Sequence, residues 1–265
     1  QASELSCKIT QRAAHRTDAR LDGLLEPMDG VPHAIELLAR QAVEDDDLGP
    51  LIRRWEGERT ALLQHRKGAT RQDNIQVAYE FAIRSPLLDD EARKLLRVLA
   101  CLPAGLAEED LEKVVDGDAP LRAETSLKKA ALVYTEAGRL RMLAPLREYV
   151  RSRHMATPEE IQPAREFFAR LALDGNKVGR GGGGMVRAVL TAEYANAHWA
   201  VGAGLDASDE SAFAAARGLA EFSRFSGLGS GDLLERARRV AKQSGNKRGE
   251  ANCIQSLGDI ALARS

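Results

Sequence analysis

Phosphate chemistry needs a cradle, and the glycine-rich run Gly179-Arg180-Gly181-Gly182-Gly183-Gly184-Met185 does not supply one. A P-loop follows a strand and ends in Gly-Lys-Ser/Thr, so that backbone amides hold phosphate and the Lys neutralises it. Here Met185 and Val186 follow the last glycine. The run is expected to be a mobile interhelical loop. No acidic strand end is present to hold Mg²⁺. The five histidines (His15, His33, His65, His154, His198) lie far apart, and no pair has a metal-ligand spacing. There is no G-x-S-x-G nucleophile elbow. Three cysteines (Cys7, Cys101, Cys253) are too few and too scattered for a disulfide framework or a zinc site. Cys101 falls on the apolar face of a helix and reads as core. The acid pairs Glu108-Glu109 and Glu159-Glu160 sit at helix starts, where the helix dipole accounts for them. No catalytic site and no metal site is expected in this chain.

One stretch keeps a binding role on its residues alone. Between residues 120 and 155 there are eight Lys/Arg against three Glu, a local excess of five positive charges. Lys128 and Lys129 fall on an expected helix, and Arg139 and Arg141 on an expected strand. Such a patch can meet nucleic-acid phosphates or an acidic face of another domain. Gly30-Val31-Pro32 reads as a break, where Gly30 can end one helix and Pro32 can open the next.

The elements that position these residues are mostly helical. Leu21, Leu24, Leu25 and Met28 recur at helical spacing, as do Ile35, Leu38 and Ala39. Glu44 to Asp47 and Gly49-Pro50 mark a turn, and Leu51, Ile52, Trp55, Leu62 and Leu63 form a further helical face. Residues 65–73 read as a loop and 74–84 as a helix stopped by Ser85-Pro86. Leu95, Leu96, Leu99 and Leu102 face one side of the next helix. Shorter helices follow at 107–115 and 120–131. Leu132 to Thr135 and Arg139 to Leu143 flank a glycine turn, which is a hairpin signal. A helix over 145–154 completes the outline of a winged helix-turn-helix. Beyond Pro158 the pattern is Ala- and Gly-rich, with helices expected near 159–173, 186–204, 209–226, 231–244 and 249–263. This outline is that of an α-solenoid.

The 265 residues carry 38 Lys+Arg and 39 Asp+Glu, so the chain lacks the overall basic charge of a dedicated nucleic-acid binder. No apolar run reaches the roughly 18 residues of a membrane span, and no secretory leader is recognisable, so a cytoplasmic protein is expected. The chain opens on Gln1 and stops at Ser265 inside a helical pattern, so it is expected to be an internal piece of something longer.

Three stretches together resemble the middle of a STAND-class signalling ATPase of the NB-ARC (AP-ATPase) type. Gly30-Val31-Pro32-His33-Ala34-Ile35-Glu36-Leu37-Leu38-Ala39 is similar to the G-x-P-x-A-I-x-L-x-A motif of its helical ARC subdomain. Leu140-Arg141-Met142-Leu143 through Arg147-Glu148-Tyr149-Val150 is similar to the end of its winged helix. Lys247 through Ala261, with Leu257-Gly258 on an Ala-rich face, is similar to the first helix of a tetratricopeptide repeat. The resemblance implies an all-α fold with one β-hairpin. It divides the chain into an ARC-like subdomain (1–70), a winged helix (71–156) and a tetratricopeptide-like region (157–265).

The resemblance further implies that Pro32, with Gly30 and Val31, lies against the adenine of a bound nucleotide. A fixed ring without an N–H makes a flat apolar wall for a purine. ADP or ATP with Mg²⁺ is expected only together with an upstream P-loop domain, and not on this chain alone. The Met-His-Asp triplet by which many members reach the β-phosphate is replaced here by Met142-Leu143-Ala144, so that contact does not carry over. The expected partners are the upstream nucleotide-binding domain, a protein bound at the repeats, and further copies of the chain on activation. In this family the winged helix packs on the nucleotide domain, so DNA is not the expected partner of Lys128, Lys129, Arg139 and Arg141. The alternatives are a winged-helix transcription regulator with a helical sensor, and a nucleotide-free helical scaffold.

Overall fold

The computed structural model describes residues 1–43, 45, 47–63, 70–117, 119–179, 183–228 and 232–264. Glu44 and Asp46 of the acidic turn, most of the expected loop at 65–73, part of the break at 227–231 and the centre of the glycine run at 179–185 lie outside them. In chain order the first half holds α1 (Ala2–Thr10), α2 (Ala13–Arg16), α3 (Arg20–Leu25), α4 (Pro32–Arg40), α5 (Gly49–Leu63), α6 (Arg71–Ile83) and α7 (Asp90–Cys101). Then come β1 (Leu106–Ala107), α8 (Leu111–Val114), α9 (Pro120–Lys129), β2 (Tyr134–Glu136), β3 (Arg139–Arg141) and α10 (Ala144–Arg153). The rest is helical: α11 (Pro158–Asp174), α12 (Gly183–Asp206), α13 (Glu210–Ser226), α14 (Asp232–Gln243) and α15 (Lys247–Arg264). The chain is predominantly helical, as its periodicity predicts. Among the described residues no helix is long and apolar enough to cross a membrane.

Caps decide where several helices begin. Periodicity alone starts α6 at residue 74, but the helix begins at Arg71. The Thr70 hydroxyl accepts from the Asp73 N–H, and the Asp73 carboxylate accepts from the Thr70 N–H at 3.0 Å. This reciprocal box satisfies two backbone donors that the first turn otherwise leaves open. Thr157 and Glu160 repeat it at α11, with Pro158 in the first helical position. At the hairpin, Tyr134 pairs with Arg141 and Glu136 with Arg139. Glu136 is therefore a strand residue, and the turn is Ala137-Gly138 alone. Both turn residues have positive φ (50° and 72°), the pattern of a tight I′ hairpin turn.

The chain packs as two units, residues 1–100 with 117–155, and residues 101–116 with 156–265. In the first, α4 lies against α1 and α6, and α5 and α10 also lie on α6. Ile35, Leu37, Leu38, Phe81, Leu95 and Leu96 are fully buried there. Trp55 meets Phe81 edge-on at 5.5 Å, and the Arg54 guanidinium sits 4.1 Å over the same ring.

In the second unit, α11, α12 and α13 pack on one another, and α14 and α15 stack beside α13. Its core joins Ala172, Leu190, Val201, Phe213, Phe222 and Leu234. Small residues set the helix spacing. A Cβ on Gly218 of α13 would fall 2.1 Å from the Ala172 carbonyl of α11, and one on Gly175 would fall 2.1 Å from the Gly218 carbonyl. The segment 101–116 belongs to this unit through Asn196, which is fully buried on α12. Its amide accepts from the Ala104 N–H (3.0 Å) and donates to the Gly105 carbonyl and to Glu193 (2.8 Å each). Cys101, expected as core, is only half-buried. On α15, Ile254 is half exposed, and no described atom lies within 4 Å of the missing Cβ of Gly258.

Candidate functional site

The Gly30-Val31-Pro32 turn is built by two consecutive left-handed residues, Asp29 (φ 47°) and Gly30 (φ 69°). The Val31 N–H then closes back on the Met28 carbonyl at 2.9 Å. Gly30 is required by its φ and not by space, since nothing lies within 4 Å of a Cβ there. Val31 is the N-cap of α4 and gives it no side-chain cap. Pro32 follows at the first helical position with its ring exposed, and Val31 is half-buried. The three residues form one continuous surface at the start of α4.

Immediately behind that surface the packing becomes polar. His33 tilts against Tyr79 of α6 at 6.0 Å between ring centroids. Its Nε2 is buried, with no hydrogen-bond partner among the described residues. Burial pushes the imidazole pKa down, against a smaller upward pull from Glu36, which favours the neutral ring. Tyr79 in turn meets Tyr149 of α10 at 5.6 Å, and Tyr149 meets His154 at 6.0 Å. Four rings thus run from the first turn of α4, across α6, to the end of α10.

Glu80, next to Tyr79 on α6, sits under this series with a side chain only 5% exposed. Its Oε2 accepts from the Tyr149 hydroxyl at 2.8 Å and faces His154 Nε2 at 2.6 Å. Its Oε1 accepts from Arg84 Nε at 2.5 Å, and Arg84 reaches on to Glu58 of α5 at 3.2 Å. Burial alone pushes the Glu80 carboxyl up. The hydrogen bonds of His154 and Tyr149, with the charges of His154 and Arg84, outweigh it and hold the group at about 2. The Tyr149 phenol moves the other way, raised by burial and by its bond to Glu80.

This shift carries a sign. The folded carboxyl, near 2, binds its proton less readily than a free one at 4.5, so the unfolded state protonates first as the pH falls. Stability is full above about pH 4.5 and declines as the pH drops toward the folded value. The loss is on the order of 3 kcal/mol across that window. Denaturant melts of the protein and of Glu80→Gln between pH 5 and pH 2 test this. The gap between them closes on acidification, whereas parallel profiles exclude Glu80 as the source.

The basic residues stand differently. Lys128 on α9 pairs with Glu124 one turn back at 2.5 Å, and Arg141 on β3 pairs with Glu136 across the hairpin at 3.1 Å. Arg122 reaches Asp89 at 3.7 Å. Lys129 is exposed, and Arg139 shares β3 with Arg141, two residues apart on the same face. All three Glu of the 120–155 stretch are engaged by its own cations, Glu148 with Arg151 at 3.9 Å.

Glu80, Arg84 and Tyr79 were not singled out from sequence. A signal was nonetheless present, because Glu80 interrupts the apolar run from Val77 to Ile83. An acid in such a run is buried only when it is paired. No family model, curated protein or solved structure matches the chain.

Proposed function

We propose that this chain is the regulatory portion of a nucleotide-switched signalling ATPase of the STAND class. In this reading Gly30, Val31 and Pro32 wall the adenine of ADP or ATP, whose phosphates and Mg²⁺ are held by a P-loop domain preceding this chain. The winged-helix part (71–156) closes over the ADP form, and exchange for ATP frees it, so that subunits assemble in the cytoplasm. The tetratricopeptide-like region (157–265) takes a protein partner. Nucleotide controls such a switch only through different affinities for its two states.

One observation carries the reading. The exposed Pro32 surface is joined, through the rings of His33, Tyr79 and Tyr149, to the last helix of the hairpin segment. A ligand lying on Pro32 therefore rests on packing that continues into α10. The DNA-binding alternative gains no support, because Lys128 and Arg141 already have acidic partners within the chain.

The test is the nucleotide content of the protein in its longest natural form, purified without stripping Mg²⁺. After denaturation, ion-exchange chromatography recovers about one ADP per chain, and Pro32→Ala releases ADP on the order of tenfold faster, the equivalent of about 1.4 kcal/mol. Nucleotide-free protein would overturn the reading.

A further inference from the structure

The apolar hold on α10 is slight. Only Leu146, Tyr149 and Val150 of this helix are buried, whereas α7 buries six side chains. Arg151, Ser152 and Arg153 of its last turn are exposed. Just beyond, the exposed Met155 ends the first unit and Ala156 enters the second. Apart from Val150 and the ring of Tyr149, which lies against Tyr79, what fastens this end of the helix is polar. The Tyr149 hydroxyl and the His154 ring converge on one oxygen of Glu80, and Arg84 takes the other. Contacts of this kind differ from apolar packing in one respect. Water can replace each of them once the helix lifts, so opening exposes little apolar surface beyond Tyr149 and Val150.

We propose that the Glu80 carboxylate is a latch that fixes the end of α10 on α6, and that its release opens α10 locally while α6 and α7 stay folded. Glu80, Tyr149, His154 and Arg84 are its working parts, and each is a positioning residue. Glu58 steadies Arg84 from α5, and the Arg153 charge acts on Tyr149 from within α10. Opening frees a short basic segment, Arg147 to Arg153, at the point where the chain leaves the first unit. The inference is independent of the nucleotide reading, since it concerns a contact within this chain alone.

Native-state hydrogen exchange on the full chain, over a series of low denaturant concentrations, tests it. Amides of residues 147–154 are expected to exchange through an opening much less sensitive to denaturant than that of α6 and α7, and at least a hundredfold faster. Glu80→Gln speeds that exchange, and trypsin cleavage after Arg151 or Arg153, tenfold or more. The α7 amides remain protected and the far-ultraviolet dichroism remains native. Tyr149→Phe, which keeps the ring and removes one hydrogen bond, moves both readouts in the same direction by less. If α10 and α6 exchange through one denaturant-sensitive opening, the helix has no separate release and the proposal fails. It fails equally if neither variant alters exchange at 147–154. Should Glu80→Gln not fold, Tyr149→Phe decides by the same two readouts.

Discussion

Gly218→Ala lowers the stability of the second unit by about 3 kcal/mol, the upper part of the range for forcing a methyl into a packed contact. The new Cβ would lie 2.1 Å from the Ala172 carbonyl oxygen and 2.9 Å from Leu173 Cα. Both are backbone atoms, so no side chain can turn aside, and α13 must move away from α11. That movement also disturbs Gly175, whose missing Cβ faces the Gly218 carbonyl. Gly258→Ala is the control. Nothing lies within 4 Å of a Cβ there, and alanine favours a helix by up to about 1 kcal/mol. Thermal melts of the two variants are expected to shift in opposite directions. A Gly218→Ala protein as stable as the parent would mean that α11 and α13 do not approach this closely.

The second large effect is at Glu80. Glu80→Ala costs the first unit about 3 kcal/mol, the upper part of the range for losing hydrogen bonds to a buried charged acceptor. The Tyr149 hydroxyl and the His154 nitrogen lose the acceptor that they share, and the side-chain volume is left empty. Truncating the other end of the same ion pair should cost far less. The Arg84 side chain is 56% exposed, so Arg84→Ala is expected to cost under about 1 kcal/mol. Chemical denaturation in a Trp199→Phe background followed by tryptophan fluorescence reports on this unit, because the remaining tryptophan, Trp55, is buried in its core. Equal costs for the two variants would show that the carboxylate contributes only its share of a surface pair.

Much of the local structure was legible. The Gly30-Pro32 break, the Pro-led start of α4, the glycine hairpin turn and the five C-terminal helices follow from turn chemistry and periodicity. These act over a few residues and need no knowledge of the rest of the chain. The errors at boundaries have the same local origin. Periodicity marks the first apolar residue of α6, while the Thr70–Asp73 cap marks the first helical one. The binding surfaces were less legible. Gly30, Val31 and Pro32 are contiguous in sequence and so stay together in space. Lys128 and Arg141 were read as available cations, and only the folded chain shows the glutamates beside them.

What the amino-acid sequence determined alone is therefore the helical class, the order of the helices from α3 onward and the residue types at most turns, whereas α1, α2 and β1 were not legible in it. A helical period tells which face of a helix such as α7 is buried. It does not tell what covers that face. Tertiary structure decided that Glu80 meets Tyr149, 69 residues away, and His154, 74 residues away. It also decided that Asn196 holds a loop 91 residues before it, and that two glycines let α11 and α13 touch. Each of these contacts closes a long loop, and its energy comes from burying a polar group or a bare backbone beside one particular partner. Such a partner is chosen by packing, which no short stretch of sequence contains.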